Sequence, residues 1–247
     1  MSKVRNSYEL KLIRESGKIA SSALKKAISS IAIGVSEIEI DKLAEREIYQ
    51  LGGDLSYKTV PGYKYATCIT VNDEVVHGLP TDRKFTEGDI VSVDLAVNFK
   101  GWHTDCAWSK LVGKDKEKER FLKVGEEALW GGVSKAISGN QVGDISEAIQ
   151  VKVEDAGYHV VRSLVGHGVG RSLHEEPEIP GYGKARTGPV LRSGMTLAIE
   201  VIYAKNTSEV FLGKDGWTYF SADGSWGAVY EMSVIVGEER PEILTHI

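Results

Sequence analysis

Cysteine is scarce in this chain. Among 247 residues there are only Cys68 and Cys106. Two isolated thiols cannot build a disulfide framework, and they suit a reducing compartment. Long apolar runs are missing too. No stretch approaches the ~18 apolar residues that a membrane-spanning helix needs, and the opening MSKVRNSYELKLIRES has no apolar core of a secretory leader. Positive charge is not in excess. The net charge is −5, so there is no basic stripe of the kind that grips nucleic acid. The longest charged run, KDKEKER (114–120), mixes signs and reads as a solvated helix start. No Pro/Ser-rich linker divides the chain. These absences predict a soluble, cytoplasmic protein with no membrane attachment and no direct nucleic-acid site. The missing linker, with the repeated order of elements described next, predicts one domain over 1–247, built from two similar halves that share a sheet.

What is present is patterned. Residues 8–30 place Leu10, Ile13, Ile19 and Leu24 near helical spacing. Residues 36–53 open with a capping box, Ser36 as N-cap and Glu39 three residues on, with Val35 and Ile40 spaced as a hydrophobic staple. Gly52–Gly53 ends that helix. Residues 67–72, 89–97 and 103–111 read as strands. The order then repeats: helices over 117–138 and 144–156, and strands near 159–165, 194–204 and 228–236.

Two carboxylates sit inside the strand pair SVDLAVNFKGWHTDCAWS (92–109). Val91, Val93, Leu95 and Val97 share one face, and Ser92, Asp94 and Ala96 the other. A hairpin centred between Phe99 and Lys100 sets Asp94 directly opposite Asp105. Like charges so placed destabilise a sheet. Either a proton is shared, or a cation is bound, or the register differs and one aspartate is solvated. LVGHGVGRSLHEEPEIPGYG (164–183) carries His167 and His174 among glycines, which permit close backbone approach. GMTLAIEVIYA (194–204) and GAVYEMSVIVG (227–237) each place one glutamate, Glu200 and Glu231, inside a strand. Two aspartates, two glutamates and an imidazole form a hard donor set that suits two divalent cations such as Mn, Fe, Co or Zn. His103, His159 and His246 match no motif and read as structural or solvated.

The ordered set Asp94, Asp105, His167, Glu200 and Glu231 resembles the metal site of the pita-bread metallopeptidases. TVNDEVVHGLP (70–80) and GHGVGRSLHEEP resemble segments of the methionine aminopeptidases within that group. The spacing of the motifs is most similar to the type I family, over about residues 8–245. The resemblance implies an α+β pita-bread fold: two pseudo-symmetric halves with a curved antiparallel sheet covered by helices. It implies removal of the initiator methionine from nascent proteins, favouring a small second residue. Another aminopeptidase specificity, such as a proline-directed one, and a catalytically weak peptide-binding relative are the alternatives. It also implies roles. Asp94 would hold one of two divalent ions (Co, Mn, Fe or Zn), Asp105 and Glu231 would bridge both, and His167 and Glu200 would complete the second. Glu200 would also shuttle the proton. His174 would face the carbonyl oxygen and His77 the scissile nitrogen, while Tyr63, Cys68 and Trp217 would line the methionine pocket. The partners implied are the N-termini of nascent chains, met in transient contact with the ribosome by a monomeric enzyme. The chain departs from the family pattern at Leu173, Val201, Val229 and Met232, and Leu173 and Val201 predict a broadened pocket.

Overall fold

The computed structural model describes residues 3–247. Helices α1 (Ser7–Ser30) and α2 (Glu37–Gln50) come first. Strands β1 (Asp54–Leu55), β2 (Thr67–Val71), β3 (Glu74–Val76), β4 (Ile90–Phe99) and β5 (Trp102–Leu111) follow. The second half repeats the order with α3 (Lys116–Val133) and α4 (Val142–Asp155). Its strands are β6 (His159–Val160), β7 (Val165–Gly168), β8 (Glu175–Pro180) and β9 (Thr196–Ala204). They continue with β10 (Val210–Leu212), β11 (Tyr219–Ser221), β12 (Gly227–Ile235) and β13 (Glu242–Ile243). No helix is long and apolar enough to cross a membrane among the described residues.

Local chemistry sets the helix ends. α1 begins at Ser7 because Asn6 caps it: the Glu9 N–H donates to Asn6 Oδ1 at 3.0 Å, and the Asn6 N–H donates to Glu9 Oε2 at 2.9 Å. Such a cap contributes on the order of 1 kcal/mol. At α2, Glu39 accepts both the N–H and the hydroxyl of Ser36, each at 2.8 Å. Val35 packs in the same apolar cluster as Ile40. α3 stops at Val133, short of the expected 138, because the chain there turns away to pair with Gly237. The strand expected near 159–165 divides in two. β6 pairs with β9 at Ala204 and β7 pairs with it at Ala198, so the chain steps along β9 between them.

The main sheet runs β1-β4-β5-β12-β9-β7-β8, with β2 against β4, β6 against β9 and β13 against β12. Every pairing in it is antiparallel. The β5–β12 contact joins the two halves. Period-two alternation gives the sheet two different faces. Val91, Val93, Leu95 and Val97 of β4 pack with Ala20, Leu24 and Ile40 of α1 and α2. Leu197, Ile199, Val201 and Tyr203 of β9, with Tyr230, Met232 and Val234 of β12, pack with Phe121, Ala128 and Ile145 of α3 and α4. Helices therefore cover one face of each half. The carboxylates occupy the other.

The hairpin register differs from the sequence expectation. Lys100 and Gly101 form its two-residue turn, both with positive φ (53° and 82°), which matches the right-handed twist of the strands. Phe99 faces Trp102, Ala96 faces Asp105 and Asp94 faces Ala107. The two aspartates are thus diagonal neighbours rather than a directly opposed pair. The shift is two residues, which keeps both on the same face. The directly opposed acidic pair is instead Glu200 and Glu231.

Candidate active site

Five neighbouring strands, β4, β5, β12, β9 and β7, each send one donor to the helix-free face. Along one row Asp94 faces Ala107, Ala107 faces Glu231 and Glu231 faces Glu200. Two residues further along, Ala96 faces Asp105, and Ala198 faces both Ser233 and His167. Buried alanines at 96, 107 and 198 alternate with the donors and leave room above the sheet. Glycines bracket His167. A Cβ at Gly166 would stand 2.7 Å from the Ala198 carbonyl oxygen, and one at Gly168 would stand 2.3 Å from that of Glu176. Only glycine lets β7 lie this close to β9 and β8.

The donor atoms converge. Asp94, Asp105 and Glu231 offer atoms within 4.8 Å of one another, as do His167, Glu200 and Glu231, and also Asp105, His167 and His174. Asp105, His167 and Glu231 each belong to two of these groups, and Glu231 is the member common to the group with Asp94 and the group with Glu200. No lysine or arginine lines the cleft among the described residues. Burial and mutual repulsion therefore push the carboxyls up. Glu200 rises to about 8 through burial and then the charge of Asp94. Asp94 rises to about 6 through burial, against a downward pull from the Tyr57 hydrogen bond. Asp105 and Glu231 rise well above the ordinary range, by burial first and by neighbouring carboxylates second. Four such groups on one sheet face call for positive charge.

His167 is prepared to be a neutral donor. Its Nδ1 donates to the Gly168 carbonyl at 2.9 Å, which leaves Nε2 facing Asp105 Oδ2 at 3.9 Å. Burial, then the His174 ring, pulls its pKa down to about 4. An imidazole fixed this way through its other nitrogen is the usual arrangement of a metal-ligating histidine. Oxygen donors plus one such nitrogen fit divalent cations.

A cleft of about 610 Å³, counting its open mouth, holds all ten residues singled out by sequence. His77 and His174 stay accessible within it, and surrounding protein lowers both pKa values through burial, with His174 lowering that of His77 further. The His174 and His167 rings are 4.4 Å apart. His77 adopts a left-handed conformation (φ 59°) against Tyr219. Tyr63, Cys68 and Leu173 form a buried apolar wall with Tyr57, and Trp217 packs against it. The Tyr63 ring meets Trp217 edge-on at 5.0 Å, and its hydroxyl donates to the Thr67 carbonyl at 2.7 Å.

Two cleft residues escape the sequence reading. The Tyr57 hydroxyl donates to Asp94 Oδ1 at 2.6 Å and lies 3.4 Å from Asp105 Oδ1. Val60 lines the apolar end. Both sit around a short 3-10 turn, Ser56–Thr59, that no motif marks. Of the four departures only Leu173 reaches the cleft. Val201 and Met232 point to the helix-covered face, and Val229 packs with Val75 and Ile202. Val201 therefore gives no reason for a broader pocket. His103 is buried between Ser56 and Asn98, consistent with a structural reading.

Comparison with known proteins places the chain in context. The model of metallopeptidase family M24 matches residues 11–238. The chain is 40% identical over 245 residues to the methionine aminopeptidase of Clostridium perfringens, covering 99% of this chain and 98% of that protein. It is 39% identical over 240 residues to methionine aminopeptidase 1 of Bacillus subtilis, covering 97% of each. Its fold is similar to the crystal structure of the methionine aminopeptidase from Thermotoga maritima, with a TM-score of 0.98 at 39% identity over the whole of both chains.

Proposed function

The chain belongs to metallopeptidase family M24, and from that premise we propose how its cleft removes the N-terminal methionine from new polypeptide chains. It is a metal-dependent aminopeptidase with the pita-bread fold. The observation that carries the reading is the convergence of five donors, one from each of five neighbouring strands, beside an apolar recess.

In this reading two divalent ions are held. Asp94 would hold one, His167 and Glu200 would hold the other, and Asp105 and Glu231 would be shared between them. The place of Glu231 in one donor group with Asp94 and Asp105 and in another with His167 and Glu200 supports it. Bound there, Co, Mn, Fe or Zn would supply the positive charge that acidifies a water and polarises the first peptide carbonyl.

The chain's own groups do the rest. The methionine side chain enters the recess of Tyr63, Cys68, Leu173 and Trp217, where a thioether gains contacts with aromatic rings. His77 faces the scissile nitrogen. His174, with its lowered pKa, is a neutral imidazole near pH 7 and donates its N–H to the carbonyl oxygen as that oxygen gains charge. Removing one such donor costs on the order of 10²–10³ in turnover. Glu200 takes the proton from the attacking water and passes it to the leaving amine.

The site is complete within one chain, which supports a monomer, and the unbroken sheet supports one catalytic domain over 1–247. Action on new chains places the enzyme in the cytoplasm. Cleavage of Met-Ala, Met-Lys, Ala-Ala and Xaa-Pro leaders by metal-loaded protein tests the specificity. Fast release of methionine from Met-Ala alone is expected. Equal rates on Met-Ala and Met-Lys, or preference for Xaa-Pro, would contradict it.

A further inference from the structure

We infer that Arg5 is a positioning residue for His174, fixing from outside the cleft the segment on which that imidazole rides. The inference rests on the role assigned to His174 above.

Arg5 is 7% exposed and does not line the cleft. Its guanidinium reaches the His174 segment at both ends. On one side Nη2 donates to the Val169 carbonyl at 3.4 Å, and Nε lies 3.4 Å from the Thr196 hydroxyl, which donates to that same carbonyl. On the other side Nη2 pairs with Oε2 of Glu175, the residue that follows His174. Glu175 Oε1 accepts the Ser172 N–H at 3.1 Å. One carboxylate thus closes the 172–175 turn with one oxygen and ties it to Arg5 with the other. Burial pushes Glu175 up, but the hydrogen bonds from Arg5 and Ser172 outweigh it and hold the group ionised.

Between these ties the segment lies hard against the guanidinium. A Cβ at Gly170 would stand 2.2 Å from Arg5 Nη2. The His103 N–H donates to the Gly170 carbonyl at 2.7 Å and fastens the same stretch to β5. The Trp102 ring lies 5.3 Å from the Arg5 guanidinium. His174 itself is exposed on its turn; its ring touches that of His167, 4.4 Å between centroids, and among the described residues its side chain makes no hydrogen bond. Its position depends on the backbone that carries it. A donor that must meet a developing charge is sensitive to small misplacement, and an error of about 1 Å costs on the order of 10²-fold.

The main chain of this N-terminal stretch has its own anchors. The Arg5 N–H donates to the Gly194 carbonyl at 2.9 Å, and Val4 bridges to Met195. Changing the Arg5 side chain should therefore leave the main chain of residues 4 and 5 docked.

The test uses the metal-loaded enzyme and a Met-Ala peptide, with Arg5→Ala, Arg5→Lys, His174→Ala and the Arg5→Ala/His174→Ala double variant. Arg5→Ala should lower kcat about 10- to 100-fold, with KM and metal content little changed. Arg5→Lys should restore most of the loss. In the His174→Ala background, Arg5→Ala should cost nothing further, because the group it positions is gone. An unchanged kcat in Arg5→Ala, or the same loss with and without His174, would overturn the inference. If His174→Ala itself leaves kcat intact, the role of His174 fails first and the inference falls with it. Should Arg5→Ala not fold, Arg5→Met/Glu175→Leu replaces the buried pair with apolar groups and is read against His174→Ala in the same way.

Discussion

The two halves of the sheet share an architecture but supply the site differently. In the first half β4 and β5 are joined by the two residues Lys100 and Gly101, so Asp94 and Asp105 ride on one tight hairpin. In the second half β9 and β12 are sheet neighbours, yet the chain passes through residues 205–226 between them. That excursion forms β10 and β11 and delivers Trp217 to the apolar recess. His167 arrives separately from β7, on a glycine-bracketed strand that also leads into His174. The first half is thus mainly a carboxylate platform. The second adds the nitrogen donor and much of the surface that meets substrate.

Glu231 is where the halves meet, and changing it gives the largest expected effect. It belongs to a donor group with Asp94 and Asp105 and to another with His167 and Glu200. If two ions are held as proposed, Glu231→Gln should weaken both together and reduce turnover to background. Asp94→Asn should spare the second-half group and leave one tight ion. Calorimetric metal titration separates the cases. Equal stoichiometry in the two variants would break the idea of a shared ligand.

Tyr57 sharpens the same comparison with a smaller effect. Its hydroxyl donates to Asp94 at 2.6 Å and reaches Asp105 only at 3.4 Å. Tyr57→Phe keeps the ring packing and removes that bond. Metal affinity should fall about 10-fold, the lower end of losses seen when ligand-orienting partners are removed, and more for the ion held by Asp94 than for the other. Equal weakening of both ions would show that the two halves are not separable.

The smallest effect is a pH dependence of the metal-free protein. Carboxyls whose folded pKa is raised bind protons more tightly when folded, so stability falls as pH rises toward the folded value. Glu200, at about 8, loses its proton late, and Asp105 and Glu231 act in the same sense. His167 acts oppositely, but its contribution changes mainly below its ordinary value of 6.5. Between about pH 7 and 8.5 the carboxyls therefore dominate. The melting temperature without metal should drop over that window, and added metal should stabilise more at the upper end. A flat profile without metal would mean that the carboxylates are less crowded than their positions indicate.

Legibility in the sequence followed locality. The helices, the capping box at Ser36 and the strands carrying Asp94, Asp105, Glu200 and Glu231 could be read because each rests on a period or a motif within a few residues. The hairpin register was missed by two. The Lys100–Gly101 turn decides it, and alternation alone is blind to a shift that preserves the face. β3, β10 and β11 escaped because three residues each are too few to show an alternation, and β3 finds its partner β11 far along the chain; β8, though next to its partner β7, escaped because EEPEIP carries two prolines and little apolar alternation. Tyr57 escaped because nothing near it in sequence reveals that its hydroxyl will reach β4. The five metal donors could be grouped by their chemistry, but the gathering of His77, His174, Tyr63, Cys68 and Trp217 beside them was legible only through resemblance, since no local rule brings residue 63 beside residue 217.

The central claim is that the carboxylates hold divalent metal and that the hydrolysis depends on it. The most direct measurement is methionine release from a Met-Ala peptide by protein stripped of metal, with its metal content checked by elemental analysis, before and after divalent ions are restored. The account predicts no release from the stripped protein and recovery with at least one of Co, Mn, Fe or Zn. Full activity in protein shown to be metal-free would contradict it.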